Sequence, residues 1–169
     1  RPAGGASTAL AAILQRLGRN GVLILVGSGE SQLQRRMAEI ARAHDNFLFL
    51  CGYSESFSDM LYAAGDLFLM PSSFEPCGIS QMLAMRGGQP CVVHAVGGLK
   101  DTVRNGVSGF TFDGDSPEQQ ASNFVHAVDQ ALHIRTNEQD RWLQIRHQAG
   151  SQRFSWQAAA DRYVRELYE

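Results

Sequence analysis

The sequence predicts an α/β domain built around a parallel sheet, and three observations support this prediction. Short apolar runs of four or five residues recur along the chain, which is typical of strands buried on both faces. Segments with apolar residues at helical spacing lie between these runs. Glycine or proline stands at many of the boundaries, where a strand or a helix must end. Because strands that alternate with helices form βαβ units, right-handed crossovers are expected.

The first part of the chain contains three predicted strands, each followed by a helix. A helix with an apolar stripe covers residues 6–17, and Gly18 favours its termination. The strands cover residues 22–26, 47–51 and 66–70. The helices after them cover residues 32–43, 56–64 and 79–86. Each helix thus returns the chain to the start of the next strand.

The second part of the chain continues this alternation and then becomes helical. Gly87 and Pro90 separate the helix 79–86 from the next strand. The strands cover residues 91–94 and 109–112, and residues 99–103 form a first helical turn between them. The last helices cover residues 117–132, 138–150 and 156–168. An aromatic and apolar stripe, interpreted as core or inter-domain packing, consists of Phe154, Trp156, Tyr163, Leu167 and Tyr168.

Length, charge and cysteine content restrict the classes of function. The 169 residues have the size of one domain and include enough apolar residues for a core. The net charge of −2 predicts no general attraction to nucleic acid or to a membrane, and no apolar run has transmembrane length. Cys51, Cys77 and Cys91 form no CxxC pattern, which predicts reduced, semi-buried thiols in a cytoplasmic protein. No histidine lies at ligand-like spacing from them, so no metal site is predicted.

The segment from Pro71 to Gln81 is the most informative part of the sequence. It joins an apolar run to a helical segment and contains Glu75 and Gly78. Ligands of open α/β sheets bind outside the carboxyl ends of the strands, where this segment is expected to lie. A helix that begins at Gly78 would direct free backbone N–H groups at an anion. Glu75 is then interpreted either as an acceptor for sugar hydroxyl groups or as a solvated loop residue.

Glycines follow two other predicted strands. Gly27 and Gly29 follow the strand 22–26, but Gln32 occupies the third glycine position of a dinucleotide fingerprint, which argues against a nicotinamide site. This pair either lets the backbone approach a nucleotide or forms only a tight turn. Gly97 and Gly98 precede a helical turn, where backbone amides reach phosphate oxygens.

His94 lies near the end of the strand 91–94. It is interpreted either as a base that faces the site or as a structural residue. The structural interpretation is the commoner one for a lone histidine in a parallel strand.

Four segments, in order, resemble bacterial glycogen synthases and plant starch synthases. Residues 74–78 (Phe-Glu-Pro-Cys-Gly), followed by Ile-Ser-Gln, resemble the signature of this family. Residues 52–57 resemble the family segment before the signature, and residues 97–103 resemble its second glycine motif. Residues 154–157 and 163–168 resemble its C-terminal helix. Together the four segments span about residues 22–169.

The resemblance implies a retaining glucosyltransferase of two Rossmann-like domains, the GT-B architecture. Residues 1–169 would be its C-terminal half, a Rossmann-like three-layer α/β/α domain that binds the nucleotide sugar, and the N-terminal acceptor domain would lie outside this sequence. The implied donor is ADP-glucose, and the implied acceptor is the non-reducing end of an α-1,4-glucan. The implied product is ADP, and no cofactor is expected.

The resemblance also implies roles for individual residues. Glu75 would be the catalytic residue that orients the glucose and stabilises positive charge at its ring. The amides of Cys77, Gly78 and Gly98 would hold sugar hydroxyls and phosphate. Tyr53 would flank the adenine, unless it is an aromatic residue at the edge of the core. The implied nucleotide-sugar-binding residues are Gly27, Gly29, Tyr53, Cys77, Gly78, Ser80, Gly97, Gly98 and Leu99. Ser80 replaces the usual threonine and keeps the hydroxyl.

Two departures from the family pattern concern charge. Leu83 occupies the position of the second glutamate in many GT-B enzymes, so the paired carboxylates of a glycosidase mechanism are missing. Arg1 is the candidate for a diphosphate-binding arginine, and the lysine five positions later corresponds to Ala6. Either the chain begins beyond this pair or a charge-assisted contact is lost. Two alternatives therefore stay open: a non-catalytic nucleotide-sugar-binding or scaffold domain, and a transferase that uses another nucleotide sugar.

Overall fold

The computed structural model describes residues 3–168, with side chains described at residues 8–157 and 159–168. Eight helices and five strands alternate along these residues as far as the last strand, and three consecutive helices follow it. The strands are β1 (Leu23–Gly27), β2 (Phe47–Cys51), β3 (Phe68–Met70), β4 (Cys91–His94) and β5 (Gly109–Phe112). The helices are α1 (Ala3–Leu17), α2 (Ser31–Ala43), α3 (Glu55–Ala64), α4 (Ser80–Arg86), α5 (Gly97–Thr102), α6 (Pro117–Asn137), α7 (Gln139–Ser151) and α8 (Trp156–Tyr168). Every predicted helix and strand is present, which confirms the α/β class.

Some boundaries differ from the prediction. The helix predicted at residues 79–86 begins at Ser80, one residue later. A helix that opens at Gly78 is excluded, because Gly78 has a φ of 76°, which no α-helix accommodates. The strand β3 begins at Phe68 rather than at Asp66, whose carboxylate pairs with Arg135 of α6 at 3.0 Å. Helix α6 continues beyond residue 132 to residue 137.

The strands form two parallel sheets in the described residues, whereas the sequence predicted one. β1 pairs with β2, with Leu23 opposite Phe47. β4 lies between β3 and β5 in the second sheet, with Phe68 opposite Cys91. β1 and β3 do not pair with each other here, so each has an edge without a neighbouring strand within residues 3–168.

Helices cover both faces of the sheet β3–β4–β5, which gives this part the predicted three layers. Because successive side chains of a strand point to opposite faces, β4 contributes to two clusters. Val92 packs with Phe110 and with residues of α1 and α6. Cys91 and Val93 pack with residues of α4 and α5. The central strand is buried along its whole length, as its continuous apolar sequence predicted.

The strand β1 is less buried than predicted. Ile24 and Leu25 expose 38% and 41% of their surface. The helix α2, which packs on β2, has no buried residue of its own. The prediction of a buried strand is therefore wrong for β1, because the described residues do not cover both of its faces.

The apolar stripe of α8 faces solvent in the described structure. Trp156 is 92% exposed, and Tyr163, Leu167 and Tyr168 are exposed as well. The interpretation of this stripe as part of the core is wrong, and the interpretation as inter-domain packing stays a prediction. None of the helices between residues 3 and 168 combines the length and apolar character that crossing a bilayer requires.

The three cysteines differ in burial. Cys51 and Cys77 are exposed and Cys91 is buried, so the prediction of three semi-buried thiols is wrong. Burial in the centre of the sheet raises the pKa of the Cys91 thiol, which disfavours the thiolate. Since the thiolate is the nucleophile, Cys91 is expected to be inert while the chain is folded.

We expect two of the three thiols to react quickly with a water-soluble thiol reagent at pH 8. Cys51 and Cys77 react in the folded chain, and Cys91 reacts after unfolding in guanidinium chloride. Counting the modified thiols by mass spectrometry checks this. Cys91→Ala, which leaves the fast count at two, is the control. A fast count of three in the folded wild-type chain would contradict the burial of β4.

Candidate functional site

The backbone of two segments meets at the carboxyl ends of β3 and β4. One segment is the loop of residues 71–79, called the Glu75 loop below, and the other is the start of α5. The Gly98 amide donates a hydrogen bond to the carbonyl oxygen of Glu75 at 3.1 Å. A Cβ atom at Gly97 would overlap this oxygen, and one at Gly98 would overlap the carbonyl oxygen of Cys77. Only glycine therefore fits at these two positions.

This contact changes the expected role of one amide. The sequence predicted a free Gly98 amide for phosphate, but this amide is engaged with Glu75. The Leu99 amide donates to Val96 at 3.1 Å, and its side chain is fully buried. The Gly97 amide has no acceptor in residues 3–168 and is the available donor of the pair. A phosphate contact at this position stays a prediction, and Gly97 is the better placed residue.

Buried side chains bind other carbonyl groups of the Glu75 loop. The His94 ring nitrogen Nδ1 lies 3.0 Å from the carbonyl oxygen of Ser72. Because a carbonyl only accepts, Nδ1 carries the proton. The His94 ring also stacks on Phe112 at a centroid distance of 5.1 Å. These contacts favour the structural interpretation of His94.

The Glu75 carboxylate is free in this arrangement. Glu75 is partly buried, and its side chain has no hydrogen-bond or ion-pair partner in the described part of the chain. Its backbone is held by Gly98, while the neighbouring Phe74 is 82% exposed. Glu75 thus combines a fixed main chain with a carboxylate that is available to accept hydrogen bonds from a ligand.

The residues at the ends of β1 and β2 are open to solvent. A Cβ atom at Gly27 or Gly29 would meet nothing within 4 Å. Tyr53 is 85% exposed, so its interpretation as a core-edge residue is wrong. No hydrogen bond or ion pair within residues 3–168 joins these three residues to the Glu75 loop. The structure therefore places them at the ends of their strands without bringing them onto the loop.

The remaining predicted residues lie in or beside the Glu75 loop. Ser80 is the first residue of α4 and is partly buried, and Cys77 is exposed. Arg1, the candidate phosphate contact, lies outside the described residues. Among residues 3–168, no three His, Cys, Asp or Glu side chains come together in a group suited to a metal ion.

Comparison with known families decides what kind of domain this is. The family model described as "Glycosyl transferases group 1" matches residues 4–131, which is most of the chain. The chain belongs to this family. The resemblance inferred from the sequence motifs is thereby confirmed.

Individual relatives of this group 1 glycosyltransferase chain point to a narrower group within the family. It is 38% identical over 154 residues to a glycogen synthase of Desulfitobacterium hafniense, an alignment that covers 87% of this chain and 32% of the relative. It is 35% identical over 152 residues to a glycogen synthase of Thermodesulfovibrio yellowstonii, covering 89% and 29%. The chain thus spans about a third of the length of these relatives.

A solved structure supports the same likeness. The catalytic domain of starch synthase IV from Arabidopsis thaliana, bound to ADP and acarbose, superposes with a TM-score of 0.80 at 32% identity. The match covers 99% of this chain and 36% of the starch synthase chain. The predicted α/β fold of a GT-B half is therefore confirmed.

Sequence reasoning missed one residue of the site in this glycosyltransferase chain. Gln81 is fully buried, and its side-chain nitrogen lies 3.2 Å from the carbonyl oxygen of Cys77 and 2.9 Å from that of Gly78. The available signal was a glutamine in the helical segment directly after Gly78, among residues expected to face the core.

We expect Gly98→Ala to destabilise the chain and to displace the Glu75 loop. Its Cβ would overlap the Cys77 carbonyl, so the unfolding free energy falls by about 1–3 kcal/mol, as for other overpacked sites. Gly29→Ala is the matched control, because its Cβ meets open space and a change within about 0.5 kcal/mol is typical of such surface sites. Urea unfolding measures both, and equal effects would contradict the loop contact.

Proposed function

We propose that the full-length protein transfers glucose from ADP-glucose, with retention, to the non-reducing end of an α-1,4-glucan. In this proposal the present chain binds the nucleotide sugar. The carrying observation is the free Glu75 carboxylate on a loop fixed against Gly97 and Gly98. The likeness to glycogen synthases and to a starch synthase bound to ADP and acarbose supports the choice of substrates.

Glu75 acts on the glucose of the donor in this proposal. Its carboxylate accepts hydrogen bonds from sugar hydroxyls, and it stabilises the positive charge that develops at the ring as the nucleotide leaves. Backbone N–H groups of Gly97 and Cys77 face the negative charge of the phosphate and the sugar oxygens. The reaction then depends on positioning and on electrostatic stabilisation by groups that are already in place.

The nucleotide itself extends towards the ends of β1 and β2. The open space around Gly27 and Gly29 admits the ribose and phosphates to close backbone contact. The exposed Tyr53 ring provides a flat apolar surface for adenine. ADP is preferred over UDP because the ADP-bound starch synthase is 32% identical, whereas a structural neighbour bound to UDP-glucose is 22% identical and supports the fold alone.

The proposal also covers the acceptor domain, the cofactor requirement and the location of the enzyme. The glucan binds to a further, N-terminal domain, as suits a chain that spans about a third of its relatives. Residues 1–169 form one domain and are inactive alone, because transfer takes place between the two domains. The reaction needs no cofactor besides the donor, and the enzyme is cytoplasmic, with neither nucleic acid nor membrane as a partner.

We expect the 169-residue chain to bind ADP weakly, with a Kd between roughly 100 μM and a few millimolar, because half of a cleft provides only part of the contacts. Isothermal titration calorimetry with ADP, and with UDP as the matched nucleotide, measures this. The same sample should not elongate a glucan. Absence of heat at several millimolar ADP, or glucan elongation above a protein-free blank, would contradict this prediction.

We expect Glu75→Ala to lower the turnover of the full-length protein by roughly 10²-fold or more, since the sugar contact is used in the transition state. Glu75→Gln keeps the size of the side chain and one acceptor oxygen and removes the charge, so an equal loss favours a role for the charge. ADP affinity should change little, because a carboxylate does not hold a diphosphate.

Glu39→Gln is the control for Glu75→Gln, since Glu39 is exposed and lies in the second half of α2 rather than at the helix start that follows β1. It should leave turnover unchanged. Turnover of Glu75→Ala within about twofold of wild type would contradict the catalytic role. A wild-type protein that binds ADP without transferring glucose would favour the non-catalytic alternative.

A further inference from the structure

We propose that Gln81 is a positioning residue, which turns two backbone N–H groups of the Glu75 loop towards the donor. This inference rests on the proposed function and adds a residue to its machinery. Gln81 lies in the first turn of α4 and has no exposed surface. In this proposal the Gln81 side chain does not touch the ligand, and it acts by holding the loop that does.

Three acceptor atoms lie within hydrogen-bond distance of the Gln81 side-chain nitrogen and share its two hydrogens. It lies 3.2 Å from the Cys77 carbonyl oxygen, 2.9 Å from the Gly78 carbonyl oxygen and 3.3 Å from the Thr102 hydroxyl oxygen. The Thr102 hydroxyl itself donates to the Gly98 carbonyl at 2.8 Å, so its oxygen is free to accept. One buried NH₂ group therefore joins the Glu75 loop to the helix that begins with the glycine pair.

The geometry of the peptide group then determines the direction of two backbone N–H groups. All peptide bonds of the described residues are trans, so the C=O of one residue and the N–H of the next point in opposite directions. Since the carbonyls of Cys77 and Gly78 point inward to Gln81, the amides of Gly78 and Ile79 point away from it. Neither amide has an acceptor in the described part of the chain. The two donors are thus unpaired within the described residues, the first on the buried Gly78 and the second on the exposed Ile79. The inference assigns oxygen atoms of the ligand to them as acceptors.

The position of the Gln81 side chain requires glycine at residue 78. Gly78 has a φ of 76°, and a Cβ at this position would lie 2.5 Å from the Gln81 side-chain oxygen. That oxygen is a buried atom without a hydrogen-bond partner in the described residues. The Gln81 side chain therefore holds the loop through hydrogen bonds from its nitrogen alone.

The chain contains a matched glutamine at the opposite end of the sheet. Gln89 precedes β4, is 2% exposed, and donates from its side-chain nitrogen to the carbonyls of Leu61 and Tyr62 at the end of α3. A Cβ at the adjacent Gly65 would overlap Gln89, as one at Gly78 would overlap Gln81. The two glutamines share burial and bonding, but only Gln81 lies at the candidate site.

We expect Gln81→Met in the full-length protein to lower kcat/KM for ADP-glucose at least tenfold, mainly through kcat, because the side chain keeps its size and loses its donor. Gln81→Glu, which replaces the NH₂ group by oxygen, should be no better. Gln89→Met should lose similar thermal stability and keep kcat/KM within about twofold. A loss in Gln81→Met that is no larger than in Gln89→Met overturns the inference.

A second measurement does not depend on turnover. In ¹⁵N-labelled 169-residue chain, Gln81→Met should shift the amide resonances of Gly78 and Ile79, and Gln89→Met should leave them in place. Millimolar ADP should shift both resonances in the wild-type chain. Unchanged resonances in Gln81→Met overturn the inference, whatever the activity. An inactive wild-type protein overturns the proposed function and, with it, the binding of the donor by these amides. The effect of Gln81→Met on the Gly78 and Ile79 resonances then still tests whether Gln81 orients the two amides.

Thr102→Val serves if Gln81→Met folds too poorly to assay. It removes one acceptor of the Gln81 nitrogen and keeps the shape of the side chain. It should shift the Gly78 and Ile79 resonances by a smaller amount and lower kcat/KM by about two- to fivefold. A Thr102→Val protein with wild-type resonances and wild-type kcat/KM overturns the inference.

Discussion

The contact between the Glu75 loop and the glycine pair at the start of α5 is the constraint on which the site depends. Two stretches of backbone lie so close that a single methyl group at Gly97 or Gly98 would overlap a carbonyl oxygen. The hydrogen bond from Gly98 to Glu75 fixes the main chain of Glu75, and its carboxylate needs no partner of its own. A loop without regular secondary structure thereby gains the rigidity of the sheet that carries it, as positioning of a reacting group requires.

Carbonyl groups of this loop accept hydrogen bonds from the protein, whereas the amides of Gly78 and Ile79 point away from Gln81. The carbonyls of Ser72 and Glu75 are bound by His94 and Gly98, and those of Cys77 and Gly78 are bound by Gln81. In the function proposed above, main-chain amides bind oxygen atoms of the donor without contributing a charge. Glu75 is the one acidic residue of the loop, which suits the proposed transfer, in which the sugar becomes positive while the leaving group carries negative charge.

The sequence was sufficient for the order of elements and for the loops at the strand ends, because both depend on local patterns. The apolar run of β4 and the glycines at 97 and 98 are examples. The division into two sheets was not predictable, since strand pairing joins residues far apart in sequence. Gln81 was missed because its bonds depend on the left-handed φ of Gly78, and the engaged Gly98 amide was missed because its acceptor lies on another loop.

β1 and β3 are two of the four strands that have an unpaired edge in the described residues. β1 and β3 each present a row of N–H and C=O groups without a neighbouring strand in the described residues, and β1 adds half-exposed Ile24 and Leu25. Such edges are templates for strand addition between molecules. Self-association of the 169 residues at high concentration is therefore expected to involve these edges.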